Sequence, residues 1–157
     1  MAVSIYKDLK GDIFMIVNQI SVFLENRPGK LAEFTDILSK NKIDMRALSL
    51  AEAADFGIAR IIVDDVYNAS TVLKDAGYVF SMTKVVAAVI PDEPGGLSRM
   101  LTALGGCGVN IEYMYAFTTP KKGTACMILR VEDPVKAIEV LQKEGIRPVG
   151  QGELTEL

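Results

Sequence analysis

The feature that most constrains the fold of this chain is an internal repeat at an offset of 66 residues. The two copies agree at a Pro-Gly pair, at three aliphatic positions, and at a glycine and an alanine further along. The matching residues are Pro28, Gly29, Leu31, Leu38, Gly57, Ala59 and Ile62 in the first copy, and Pro94, Gly95, Leu97, Leu104, Gly123, Ala125 and Ile128 in the second. A repeat of this length indicates that each copy is one structural unit. We therefore predict a first domain at residues 15–83, a second at 84–150, an N-terminal extension at 1–14 and a C-terminal tail at 151–157.

Hydrophobic periodicity changes in the same order in both copies. An apolar strand is followed by an amphipathic helix, a two-stranded hairpin, a second helix and a short last strand. The predicted elements are strands at 16–24, 44–51, 57–63 and 78–83 with helices from Pro28 and at 68–76 in the first copy, and strands at 85–90, 109–117, 124–131 and 146–150 with helices from Pro94 and at 134–144 in the second. This β-α-β-β-α-β order predicts an α+β fold of two tandem ferredoxin-like units, with the helices on one face of antiparallel sheets.

Local signals set the predicted ends of these elements. A proline at the first helical position needs no N–H partner, so each first helix is expected to begin at its proline. Asn68 is expected to cap the second helix of the first copy, and Asn41 to end the first helix in a left-handed conformation. Residues 55–57 and 120–123 are expected to form the hairpin turns.

The composition argues against several classes of function. The chain has no histidine, which is the usual general base and zinc ligand, and we predict neither an active site nor a metal or cofactor. Its 17 basic side chains are scattered and outnumbered by 20 acidic ones, which argues against nucleic acid as a partner. Two cysteines, Cys107 and Cys126, are too few for a disulfide framework. Because no signal peptide or membrane-spanning run is recognisable, we expect a cytoplasmic protein without a membrane partner.

The two copies agree best at the turn from the first strand into the first helix. The first N–H groups of a helix have no partner within it and carry the positive end of its dipole, so such a turn can bind an anion. A carboxylate bound there is expected to leave its amino group near the start of the second strand, where Asp44 and Asn110 lie. The predicted ligand-binding residues are Asn26, Arg27, Pro28, Gly29, Lys30, Leu31 and Asp44 in the first copy, and Asp92, Glu93, Pro94, Gly95, Gly96, Leu97 and Asn110 in the second. The alternative is that Pro-Gly serves only as helix-entry chemistry and the polar residues as caps.

The string ISVFLENRPGKL at 20–31, continued by IDM at 43–45, resembles the ACT domain. A second copy, in PGGL at 94–97 and GVNI at 108–111, makes the chain after Met15 resemble a stand-alone tandem ACT protein. ACT domains are small-molecule sensors, usually of amino acids. The resemblance therefore implies a non-catalytic, allosteric regulatory protein that binds an amino acid or similar small carboxylate, with a metabolic enzyme as a possible partner. In this family effectors lie between two domains packed side by side, which implies sites built jointly by two copies or two chains, and we expect a homodimer.

The resemblance also assigns roles to single residues. In the serine-sensing regulatory domain of phosphoglycerate dehydrogenase, one asparagine before Arg-Pro-Gly and another at the start of the second strand contact the effector. These positions are Asn26 and Asp44 in the first copy, and Asp92 and Asn110 in the second. Asp44 and Asp92 depart from that pattern and add negative charge, and the histidine that such sensors place just ahead of the motif is Leu24 here. These departures argue against serine as the ligand.

Two other functions remain open at this point. The stretch 21–51 also resembles the N-terminal part of a regulatory subunit of acetolactate synthase, although the second PGGL copy argues against that assignment. A small enzyme of ferredoxin-like fold would need a convergent pair of titratable residues, which the sequence does not indicate. An RNA-binding domain of this fold is rejected because 124–129 contains no aromatic residue.

Overall fold

The computed structural model describes residues 14–117 and 121–157. Its chain divides into two compact units. The first unit is Asn18–Thr83, and the second unit is Lys84–Leu157 together with residues 14–17. Of the predicted N-terminal extension, residues 1–13 lie outside the described residues, as does Pro120 of the second predicted hairpin turn.

The first unit contains a three-stranded sheet, two helices and the start of a further strand. Its elements are β1 (Ile16–Glu25) from residue 18 onward, α1 (Lys30–Lys40), β2 (Met45–Ala53), β3 (Phe56–Val63), α2 (Val66–Asp75) and the first residues of β4 (Phe80–Pro91), which continues into the second unit. β3 lies between β1 and β2 and is antiparallel to both. The N–H of Phe23 donates to the carbonyl of Val79 at 3.0 Å, which places the chain entering β4 beside β1.

The second unit repeats this plan. After β4 come α3 (Gly96–Gly106), β5 (Ile111–Phe117), β6 (Thr124–Val131), α4 (Pro134–Lys143), β7 (Arg147–Val149) and the short helix α5 (Gln151–Leu154). β4 pairs antiparallel with β6 and with β7, and β6 pairs antiparallel with β5. The predicted α+β fold and its antiparallel sheets are confirmed, but the predicted strands at 78–83 and 85–90 form one continuous strand, β4.

In each unit two helices and the strands beneath them enclose one apolar core. Burying aliphatic side chains in this way is the main favourable contribution to folding. Fully buried members are Val22, Phe34, Ile61 and Leu73 in the first unit, and Met100, Leu104, Leu129, Ile138 and Leu141 in the second. The predicted C-terminal tail includes α5, whose Leu154 is buried. None of the helices in the described part of the chain is long and apolar enough to span a membrane.

Strand pairing shows that the second copy has the longer hairpin. In the first unit Ala51 of β2 pairs with Ile58 of β3, whereas in the second unit Phe117 of β5 pairs with Cys126 of β6. The offset between the copies therefore changes from 66 residues before the hairpin to 68 after it.

This change corrects the alignment of the repeat. Gly57 lies opposite Leu24 of β1, and the residue opposite the equivalent Ile90 of β4 is Ala125. The structural counterpart of Gly57 is thus Ala125 and not Gly123. The later matches at an offset of 66 are wrong for the same reason, since a single offset cannot accommodate an insertion.

Both first helices begin two residues after the proline rather than at it. Gly29 and Gly95, which immediately precede α1 and α3, have φ angles of 86° and 89°. Glycine adopts this left-handed conformation without steric cost, so Pro-Gly forms a turn that the helix follows.

Two other helix ends differ from prediction. The N-cap of α2 is Asp65, whose Oδ1 accepts the N–H of Asn68 at 3.0 Å, so Asn68 lies within the helix. After α1 the left-handed residue is Lys42, with φ of 56°, while Asn41 has φ of −96°. The side-chain amide of Asn41 instead donates to the carbonyl of Ile37 at 2.9 Å.

Candidate functional site

The turn after β1 is held against the β2–β3 hairpin. Because β1 and β3 are antiparallel, the end of β1 lies beside the start of β3. The N–H of Asn26 donates to the carbonyl of Asp55 at 2.9 Å, and its side-chain amide donates to the carbonyl of Ala54 at 3.2 Å. These bonds fix the turn through the backbone of the hairpin, and they use the amide nitrogen of Asn26 rather than its amide oxygen.

Charged side chains surround this first turn in opposite pairs. The Arg27 guanidinium forms an ion pair with the carboxylate of Glu25, and both side chains are about half exposed or more. In the first turn of α1, Lys30 Nζ lies 3.1 Å from Glu33 Oε2. Exposed ion pairs add little to stability, so these groups are available to exchange their partners for a charged ligand.

A pocket of about 270 Å³ opens between the first turn and the hairpin. Asn26 and Arg27 line its polar side together with Glu25, and the remaining wall is apolar. The lining residues are Leu24, Glu25, Asn26, Arg27, Leu31, Leu50, Ala51 and Gly57. Small-molecule sites commonly combine apolar walls with a few polar groups in this way, and this volume suits a small metabolite.

Gly57 makes room for the leucine that forms one wall of the pocket. A Cβ at Gly57 would lie 3.2 Å from Cδ1 of Leu50 and 3.4 Å from the carbonyl oxygen of Ala51. Leu50 is 53% exposed although it is aliphatic. An exposed leucine beside a glycine on a hairpin therefore leaves an apolar surface facing the turn.

A second groove, on the other side of the same turn, is lined by aromatic side chains and by the Lys30–Glu33 pair. Phe23 and Phe56 line it and are about half exposed, and Tyr78 lies edge-on to the buried ring of Phe34 with the ring centres 5.7 Å apart. Partial burial raises the pKa of the Tyr78 hydroxyl, and the nearby Glu33 carboxylate raises it further. Tyr78 is therefore a neutral hydrogen-bonding group at neutral pH.

The turn of the second unit has the same backbone but different chemistry. Asp92 donates its N–H to the carbonyl of Gly123 at 3.0 Å, as Asn26 does to Asp55. Glu93 lies 3.5 Å from Arg99 in an exposed ion pair. A Cβ at Gly96 would lie 2.3 Å from the carbonyl oxygen of Pro91, so the turn packs closely against the end of β4.

The predicted partners at the start of the second strand are not close to the turn of their own unit. Asp44 precedes β2, which runs parallel to β1, and it lines an open groove at the other end of α1. From Ala51 in the pocket wall back to Asp44 the strand covers about 20 Å. Asn110 is placed in the same way in the second unit, in a groove that also contains Lys136. The expectation that the start of β2 lies near the turn is therefore not met within either unit.

Residues 15–157 match the family described as the ACT domain pair. The chain belongs to this family. The resemblance seen in the sequence is thus confirmed for the whole chain after residue 14. No protein of curated function matches the chain.

Several solved structures resemble this ACT domain pair. Protein BT0572 from Bacteroides thetaiotaomicron is 40% identical, with a TM-score of 0.85, and the match covers 91% of this chain and 98% of that one. The ligand-free regulatory subunit of aspartate kinase from Thermus thermophilus is 16% identical, with a TM-score of 0.59 and coverage of 81% and 91%. E. coli aspartokinase III in complex with aspartate and ADP is 15% identical, with a TM-score of 0.52 and coverage of 82% and 32%. The two aspartate kinase structures share the fold of this chain.

Sequence reasoning about this ACT domain pair predicted part of the pocket but missed Glu25 on its polar side and most of its apolar wall. Asn26, Arg27 and Leu31 were predicted and line the pocket. Leu50 and Gly57 were missed because they reach the turn through the pairing of β1, β2 and β3, which a loop motif does not contain. An exposed aliphatic residue in a strand next to a repeated Pro-Gly turn was the available signal.

Proposed function

We propose that this ACT domain pair is a non-catalytic regulatory protein that binds an amino acid or a similar small carboxylate at its Pro-Gly strand-to-helix turns. The observation that carries the proposal is the pocket at the first turn, where Asn26 and Arg27 lie beside an apolar wall. A guanidinium binds a carboxylate by charge-assisted hydrogen bonds, and an amide oxygen accepts from an ammonium group. The residues proposed to contact ligand are the turn residues 26–31 and 92–97, together with Asp44 and Asn110.

Regulation requires that the ligand favour one arrangement of the protein over another. We propose a homodimer that acts in the cytoplasm on a metabolic enzyme. In such a dimer Asp44 and Asn110 would reach the turns of a second copy of the chain. The position of Asp44 on an open groove, with its carboxylate 3.2 Å from Arg46 in an ion pair, supports a role at a surface between chains.

The test is thermal unfolding of the purified chain with each standard amino acid in turn. A ligand present at 100 times its Kd is expected to add about 2.7 kcal/mol of stability, because it binds the folded state alone. We expect a raised melting temperature with one class of amino acid. The Asn26→Ala variant is expected to lose that shift, while Thr71→Ala, at an exposed position of α2, keeps it. An unchanged melting temperature with all of them would contradict the proposal.

A further inference from the structure

We infer that the ligand of this protein is a zwitterionic amino acid with an uncharged aliphatic side chain, and that it binds at the turn of the first unit and not at that of the second. This inference rests on the proposed function and narrows it in two respects. The first is the ligand's chemistry, which follows from the lining of the pocket. The second is the number of sites per chain, which follows from the differences between the two copies.

The polar side of the pocket presents one cation and one anion. Arg27 and Glu25 are paired with each other and both line the pocket. A free amino acid carries the same two charges, so its carboxylate can pair with Arg27 while its ammonium pairs with Glu25. A ligand with only one of these charges would leave one member of the Arg27–Glu25 pair without a partner. The oxygen of the Asn26 amide is a further acceptor for the ammonium group.

The apolar side of the pocket selects the ligand's side chain. Leu24, Leu31 and Leu50 line it, and Ala51 and Gly57 complete the wall. Burying an aliphatic side chain against these residues is favourable, whereas burying a charged one without a partner is costly. The wall therefore favours an aliphatic side chain over an acidic or a basic one.

The turn of the second unit differs from that of the first in both its charged groups and its apolar wall. The charged groups differ as follows. The counterparts of Glu25, Asn26 and Arg27 are Pro91, Asp92 and Glu93, so this turn offers two carboxylates where the first offers an ion pair and an amide. The ion pair of this turn joins Glu93 to Arg99, which lies within α3 and not on the turn as Arg27 does. A ligand's carboxylate would meet like charges there.

The apolar wall differs between the units as well. Strand pairing makes Ala116 the counterpart of Leu50, and Ala125 the counterpart of Gly57. In the first unit a glycine gives space to a leucine, since a Cβ at Gly57 would lie 3.2 Å from Cδ1 of Leu50. In the second unit two alanines replace this pair, so the strand position that carries Leu50 in the first unit carries the smaller Ala116. The leucine and the glycine thus change together, as expected for a wall that exists in one unit alone.

The experiment is isothermal titration calorimetry of the full chain with leucine, aspartate and lysine, and with two analogues of leucine that keep one charge each. The analogues are 4-methylpentanoate, which lacks the ammonium group, and 3-methylbutylamine, which lacks the carboxylate. We expect leucine to bind with one site per chain and each analogue to bind at least about tenfold more weakly, as the loss of a charge-assisted hydrogen bond implies.

Substitutions at the two turns show which of them binds leucine. Arg27→Gln is expected to weaken leucine binding at least about tenfold. The double variant Leu50→Ala, Gly57→Ala, which copies the wall of the second unit, is expected to do the same while its melting temperature without ligand shows that it folds. Arg99→Gln is the matched control, because Arg99 is 63% exposed and ion-paired in the second unit as Arg27 is 62% exposed and ion-paired in the first. It is expected to leave leucine binding unchanged.

The possible outcomes separate this inference from the proposed function. Two leucine sites per chain, or equal weakening by Arg99→Gln and Arg27→Gln, would overturn the assignment to the first unit. If aspartate or lysine binds more tightly than leucine, and Arg27→Gln abolishes that binding, the inference of an aliphatic ligand is wrong while the proposed function stands. If leucine does not bind, this inference is wrong, and the thermal unfolding test with every standard amino acid decides the proposed function separately.

Discussion

At the scale of single residues, the closest packing around the second turn involves Gly96. Its missing Cβ would lie 2.3 Å from the carbonyl oxygen of Pro91, a distance at which backbone must move. Gly105, in the last turn of α3, has open space where its Cβ would be. The two glycines on the same helix therefore differ: Gly96 is required for close packing, whereas a side chain at Gly105 would meet no neighbouring atom.

Replacing these glycines by alanine should have opposite effects. Gly96→Ala is expected to lower the free energy of unfolding by about 1–3 kcal/mol, since overpacking costs that much in a tight site. Gly105→Ala is expected to leave it unchanged or to raise it by up to about 1 kcal/mol, because alanine favours the helix. Urea denaturation of both variants measures this. Equal losses of stability would show that the Pro91 carbonyl is not the cause.

A buried thiol predicts how stability depends on pH. Burial raises the pKa of the Cys126 thiol from its ordinary value of 9.0 to about 12, and the nearby Arg147 lowers it in part. Above about pH 9 the unfolded chain therefore loses a proton that the folded chain keeps, so raising the pH favours unfolding. The free energy of unfolding between pH 9 and 10.5 should fall more steeply for the natural chain than for Cys126→Ala, by up to about 1.4 kcal/mol per pH unit. Parallel slopes in the two proteins would contradict the burial of this thiol.

At the scale of elements, both second helices begin with the same cap. Asp65 Oδ1 accepts the N–H of Asn68, and Asp133 Oδ1 accepts the N–H of Lys136, each at 3.0 Å. The shared cap confirms that the copies correspond at an offset of 68 after the hairpin. The sequence pattern predicted Asn68 as the cap because both Asp and Asn are favoured there, and the choice depends on where the backbone turns.

Removing the aspartate cap should weaken each second helix. Asp65→Ala or Asp133→Ala is expected to cost about 1 kcal/mol of stability, the usual value for a lost N-cap. Asn68→Ala is the control for Asp65→Ala, and it should change stability little, because the bond uses the backbone N–H of residue 68. Chemical denaturation decides between the two residues. A larger loss in Asn68→Ala than in Asp65→Ala would restore Asn68 as the cap.

Element order could be predicted from the sequence because hydrophobic periodicity is local. The residues at which α1 and α3 begin could not be predicted, since they depend on the φ angles of Gly29 and Gly95 after the proline. The hairpin insertion was missed as well, because alternation with a period of 2 looks the same after a shift of two residues. For that reason Gly57, which lies in β3, was matched with Gly123, which lies in the hairpin turn of the second unit.

At the scale of the whole molecule, the two units share the same Pro-Gly backbone turn, but different side chains surround it in each unit. The Pro-Gly turn itself was predictable because its residues are contiguous in sequence, whereas its hydrogen bonds to the hairpin, from Asn26 to Asp55 and from Asp92 to Gly123, were not predicted. The side chains that line the pocket could not be predicted in full, because strand pairing is what brings Leu50 and Gly57 close to Arg27. The same pairing explains why Asp44, predicted to lie near the turn, is at the far end of a strand parallel to β1.

The most direct test of the account is a heteronuclear NMR titration of the full chain with leucine. If leucine binds at the first turn, the amide signals of residues 24–27, 29–31, 50, 51 and 57 should shift, and those of the second turn, residues 92, 93 and 95–97, should not. This result would place a ligand in the pocket independently of any variant. Shifts confined to residues 91–97, or a spectrum unchanged at millimolar leucine, would contradict the account.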